Sequence, residues 1–320
     1  VCQPLRHKND EDRKQKLGLE KLRPWDMGVD IRGRPPLKPF KEVKEMVDGC
    51  SRIFHSMSKE LGDYFDLLEA NDCLDLDSRK GKAPGGYQYY LQKSRMPFIF
   101  MNAAGTQRNV ETMIHEAGHA FHSFYSGHLQ LIHERDAPIE FAEVASMSME
   151  LLTHPYWGEF YEGKDADRAR RNHLEDIIAF MPWMATIDAF QHWIYANPEH
   201  TRDERAAKWL ELGKRFGPHI DMNGLNDIHE VSWQRQGHLF GVPFYYVEYG
   251  IAQLGALQMW QYHRKDTEDA LSRYKDGLSL GYTRGLTELF EASGLALSFS
   301  ESHVSNLMNE IELTLETIPS

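Results

Sequence analysis

Long apolar runs are missing from this chain. No tract reaches the roughly eighteen apolar residues that a membrane-spanning helix needs, so contact with a membrane is not expected. Cysteine is scarce. Cys2, Cys50 and Cys73 form neither a C-x-x-C pair nor an even framework, which excludes a disulfide scaffold and points to a reducing, cytoplasmic setting. Positive charge is also short: 36 Lys and Arg face 48 Asp and Glu, a net charge of −12. Nucleic acid is therefore not an expected partner, because neutralising phosphates requires a basic surface. There is no internal repeat, no low-complexity tract and no secretory apolar segment at the start. The first residue is Val rather than Met, which leaves room for sequence upstream.

What is present describes a globular protein. Hydrophobic residues make up 41% of the chain, aromatic residues 12% and charged residues 26%. Residues 1–39 are polar and end in Arg34-Pro35-Pro36-Leu37-Lys38-Pro39, which suggests an extended, exposed leading segment. Apolar residues at helical spacing follow from Phe40 to about Ala70, then a loop from Asp72 to Tyr87. Residues Tyr89 to Met101 are aromatic and β-branched, as in a strand or hairpin. Beyond Asn109 the pattern predicts helices over 109–126, 137–153, 165–195, 202–216, 238–263, 266–280, 284–293 and 300–317, punctuated by prolines. The expected fold is mainly α, with one small sheet just before the helix that carries the chemistry.

That helix contains His115-Glu116-Ala117-Gly118-His119. Residues four apart on a helix share a face, so the two imidazoles can converge on one tetrahedral Zn²⁺ and leave room for a third ligand and a water. Glu116 can lean toward the open position and act as general base. The competing explanation is a pair of histidines on a solvated face. A third ligand is expected from an acid on a second helix, and residues 140–150 offer Glu140, Glu143 and Glu150 on one face among Phe141, Val144, Met147 and Met149. A buried acid wants a cation, but spacing alone does not choose among the three. Hydrolysis of an amide also needs donors for the developing oxyanion. The stretch from His238 to Tyr249 is dense in them, with Tyr246 and Tyr249 one turn apart on a helix starting near Pro243. An aromatic core stripe is the alternative there.

Five segments together resemble the thimet oligopeptidase and oligoendopeptidase F family of zinc metallopeptidases, most of all its bacterial oligoendopeptidase and Pz-peptidase branch. They are Arg79 to Tyr87, Pro97 to Asn102, Thr112 to His122, Phe141 to Met147 and Pro243 to Tyr249, in family order. The resemblance implies a zincin-type catalytic domain of packed helices over 1–320, with a small antiparallel sheet preceding the metal helix. It implies one Zn²⁺ held by His115, His119 and Glu143, with Glu116, His238, Tyr246 and Tyr249 as catalytic residues. It also implies substrate contacts at Asn102 and Gly105, where an edge strand pairs with peptide backbone, and at Gly85 and Gly86 in a loop that closes on substrate. Family members are close to twice this length, and their N-terminal helical half walls a channel that selects short peptides. Association with such a region is therefore expected. The implied activity is endopeptidase cleavage of short unstructured oligopeptides. The alternatives are a non-catalytic peptide-binding remnant and an exopeptidase gripping a terminal carboxylate through Arg235 or Arg284.

Overall fold

Thr106 and Asn109 show why the central helix begins where it does. Asn109 Oδ1 accepts hydrogen bonds from Ala104 N, Thr106 N and Thr106 Oγ1 at 2.8, 3.1 and 2.9 Å, so the turn entering the helix is fixed by a side chain that satisfies orphan donors. This is a computed structural model describing residues 1–319. The chain begins with α1 (Cys2–Lys16), α2 (Val43–Met57) and α3 (Lys59–Ala70), then β1 (Leu74–Asp77), β2 (Tyr87–Leu91) and β3 (Met96–Ala103). Next come α4 (Gln107–Ser126), α5 (Ile139–Leu152), α6 (Lys164–Ala196) and α7 (Arg202–Phe216). Two single-turn helices, α8 (Asn226–His229) and α9 (His238–Gly241), precede α10 (Tyr246–Lys265), α11 (Thr267–Ser279), α12 (Leu286–Ala292) and α13 (Glu301–Thr317). Among the described residues no helix is long and apolar enough to cross a membrane.

The chain forms two compact units. The first comprises Val1–Pro36, Asn172–Gly250 and Ser300–Leu315; the second comprises Leu37–Arg171, Ile251–Phe299 and Glu316–Ser320.

In the second unit, α2 and α3 are separate because Ser58 between them is extended, with φ −163°. The rings of Phe54, Phe65 and Phe121 meet at 4.9–5.0 Å in its core. The sheet has the order β1-β3-β2 and is mixed, not purely antiparallel. β2 and β3 are joined by a tight turn and run antiparallel, from Tyr87 opposite Phe100 to Leu91 opposite Met96. β1 enters from α3 and lies parallel to β3, with Leu74 opposite Ile99. Ile99, Met101 and Ala103 alternate as buried residues of β3, and β3 packs on α4. Val110, Met113, Ile114, Ala117 and Phe121 form the buried stripe of α4.

In the first unit, the extended segment expected over 1–39 is helical from Cys2 to Lys16. Its sequence is strongly polar, and long-range polar contacts hold the helix. Buried Asp10 accepts the His219 backbone N–H at 3.0 Å, and Arg6 donates to the Ala179 carbonyl at 2.5 Å. Ala179 lies in the turn before Pro182, which sits inside α6 and lacks a donor of its own. Ile187, Phe190, Trp209 and Leu212 form a small core here.

Candidate metal centre and aromatic cluster

Close approach of two helices builds the metal centre. A Cβ on Gly118 would stand 2.6 Å from Ser146 Cα and 2.9 Å from Ala145 O. Glycine at that position therefore lets the backbone of α5 lie directly against α4. The approach brings Glu143 to the two histidines: its Oε2 is 3.3 Å from His115 Nε2 and 3.5 Å from His119 Nε2. One ligand atom from each of His115, His119 and Glu143 lies within 4.8 Å of the others. Glu143 is only 5% exposed. Burial pushes its carboxyl up, but His119 and His115 outweigh that and hold it well below the usual range. Burial lowers the His115 imidazole, and its contacts with Glu143 and Glu150 more than reverse the effect. Two imidazole nitrogens from half-buried histidines and one buried carboxylate oxygen fit a tetrahedral Zn²⁺ with one open position.

Of the three acids that spacing left open, Glu143 is the one that joins His115 and His119. Glu150 instead meets the far side of His115, with Oε1 2.6 Å from Nδ1, while Glu140 joins no ligand group. Ser146, which the sequence reading passed over, is fully buried and donates to Glu143 Oε2 at 3.0 Å. Its position one turn after Glu143 was the available signal. Glu116 is 6% exposed, and burial raises its carboxyl while His119 and His115 pull it back. A raised carboxyl beside a cation site is suited to shuttling a proton.

A second constellation lies in the first unit. The ring of His238 is 4.9 Å from that of Tyr246 and 5.8 Å from that of Tyr249, and the two tyrosines are 5.7 Å apart. Tyr245 joins them, 5.4 Å from Tyr249 and 5.9 Å from His238. The Gln236 amide lies 2.6 Å from His238 Nδ1. The continuous helix expected over 238–263 is broken between α9 and α10. Pro243 offers no donor there, and Phe244 has left-handed backbone with φ +62°. The Phe244 ring sits 5.0 Å from both His192 and Tyr195.

The edge-strand placement of Asn102 and Gly105 needs correction. Asn102 is not on an edge strand, because β3 is the middle of the sheet, and its amide donates to Ala83 O and Gly85 O at 2.8 and 3.1 Å. Gly105 lies in the turn after β3, with φ +76°. The sheet edges fall instead on β1 and β2. Gly85 takes φ +102°, and a Cβ on Gly86 would come within 3.0 Å of Thr112 on α4. Their loop is pinned by Lys82, whose ammonium donates to Asp75 O, Asp77 O and Met101 O at 2.5–2.9 Å.

Comparisons with known proteins agree on a family. The sequence profile of peptidase family M3 matches residues 2–308. Oligopeptidase PepF of Bacillus subtilis is 25% identical over 310 residues, spanning 93% of this chain and 44% of that protein. An oligoendopeptidase F homolog of Borreliella burgdorferi is 24% identical, spanning 96% of this chain and 52% of its own length. Among solved structures, Pz peptidase A crystallised with an inhibitor superposes with a TM-score of 0.91 at 31% identity, over 98% of this chain and 56% of that one. A putative oligoendopeptidase F from Bacillus anthracis gives 0.87 at 30% identity, over 99% and 54%. This chain thus spans about half the length of the relatives it matches. On the breadth of the profile match and the helical fold it shares with these structures, the chain belongs to peptidase family M3.

Proposed function

We propose that the protein is a zinc-dependent endopeptidase that hydrolyses internal bonds of short, unstructured oligopeptides. The observation that carries this reading is the convergence of His115, His119 and Glu143 within 4.8 Å, with buried Glu116 beside them. When bound, Zn²⁺ polarises the scissile carbonyl and makes water acidic enough to attack at neutral pH. Glu116 accepts that water's proton and delivers it to the leaving amine, a role suited to a carboxyl raised by burial. Tyr246 and Tyr249 donate hydrogen bonds to the carbonyl oxygen as charge develops on it, and His238 completes the donor set. The further length present in the relatives supplies the wall that restricts substrates to short peptides.

The test is Glu116→Gln, assayed on an end-blocked, quenched fluorescent peptide. The variant is expected to keep its zinc and lose turnover, while a chelator abolishes cleavage by the parent chain. Cleavage retained in Glu116→Gln would sink the mechanism, and refusal of end-blocked peptides by the parent chain would favour an exopeptidase.

A further inference from the structure

Three residues on one face of α5 touch the metal cluster, and they do different things. Glu143 offers an oxygen to the ligand set, and Ser146, three residues on, donates to that same carboxylate at 3.0 Å. Glu150, two turns beyond Glu143, meets His115 from its other side. Its Oε1 lies 2.6 Å from His115 Nδ1, the ring nitrogen opposite the one that Glu143 approaches. Its side chain is 12% exposed, so water competes weakly for the contact.

We propose that Glu150 is a positioning residue that locks His115 in the tautomer and orientation needed to bind the metal. This rests on the metallopeptidase reading above. An ionised carboxylate can only accept hydrogen bonds, so Nδ1 must carry the proton that joins it to Glu150. The lone pair then resides on Nε2, the atom that Glu143 approaches within the ligand group. The negative charge behind the ring also makes Nε2 a stronger donor toward a cation. Among the described residues the ligand group is His115, His119 and Glu143, so Glu150 acts through His115 rather than on the ion. With Ser146 holding Glu143, one helix face both supplies a ligand and fixes two of the three.

The test is zinc affinity of the full chain, measured by competition with a chromogenic chelator, for the parent, Glu150→Gln and Glu150→Ala. Loss of such a partner weakens metal binding by about ten- to a hundredfold. Glu150→Gln can still accept a hydrogen bond and falls at the lower end; Glu150→Ala falls at the upper. Cobalt(II) loading adds a signature that a purely structural role would not move. Reorientation of His115 shifts the visible d–d bands of Glu150→Ala, even when the metal-free variants melt at the parent's temperature. Parent-like affinity and an unshifted cobalt spectrum in folded Glu150→Ala would overturn the proposal while leaving the metallopeptidase reading intact. Failure of the parent to bind either metal would overturn both. Should Glu150→Ala not fold, the affinity and cobalt spectrum of Glu150→Gln decide alone.

Discussion

His115, His119 and Glu143 stand on two helices pressed together at Gly118, whereas His238, Tyr246 and Tyr249 are carried by a single-turn helix, a proline and a residue with left-handed backbone. Helix α4 is buried along much of its length, but from Gly213 to Tyr249 no residue is fully buried. Metal ligands must be set at fixed separations before the ion arrives, and close packing achieves that. The rings of His238, Tyr246 and Tyr249 are held instead by contacts with one another on a lightly packed segment, where local opening costs little. One cluster is specified by a core, the other by a turn.

That contrast can be broken most directly at the tyrosines. Tyr249→Phe is expected to lower turnover by about 10²–10³-fold, the usual cost of an oxyanion donor, while zinc content and melting temperature stay at parent values. Loss of zinc together with activity would show that the two clusters are not independently specified. Next in size is a pair of glycine substitutions. Gly118→Ala forces a Cβ into the backbone of α5 and should destabilise the chain by about 1–3 kcal/mol, with weaker zinc binding. Gly241→Ala on α9 meets nothing within 4 Å and should be neutral or raise stability by about 0.4–1 kcal/mol. Equal effects in thermal melts would erase the distinction. The third test uses acid. Burial, with His119 adding, pushes the His122 imidazole down to about 3, and its Nε2 has no hydrogen-bond partner. The unfolded chain takes up that proton near pH 6.5, so stability falls as pH drops from there toward 3, by at most about 1.4 kcal/mol per unit. His122→Leu should flatten this acid limb in urea titrations of the metal-free chain; an unchanged slope would show that other groups dominate it.

The pairing of His115 with His119 was legible because helical spacing translates directly into geometry. Choosing among Glu140, Glu143 and Glu150 was not possible from spacing, since residues seven apart point almost the same way. Only the height of α5 against α4, set at Gly118, decides which acid meets Nε2 and which meets Nδ1. The polar α1 was unreadable as a packed helix because its stabilising contacts involve residues far along the chain. β1 was hidden in a polar loop because its parallel partner β3 lies beyond β2 in the sequence, and Leu74-Asp75-Leu76-Asp77 carries no turn signal that announces it. The break before Tyr246 needed Phe244 in a conformation that its residue type does not favour.

The attachment of α1 has a consequence for how the molecule is made. Arg6 reaches Ala179, His7 lies 3.4 Å from the Gly217 carbonyl, and Lys8 pairs with Glu312. The contacts of α1 therefore wait for residues 173, 210 and 304 positions further along the chain. Closing loops of this length has an entropic cost that must be met before those contacts form, and such non-local topologies fold slowly. Helix α1 is thus expected to be a late-folding element. Until those contacts form, its polar surface keeps the waiting segment hydrated.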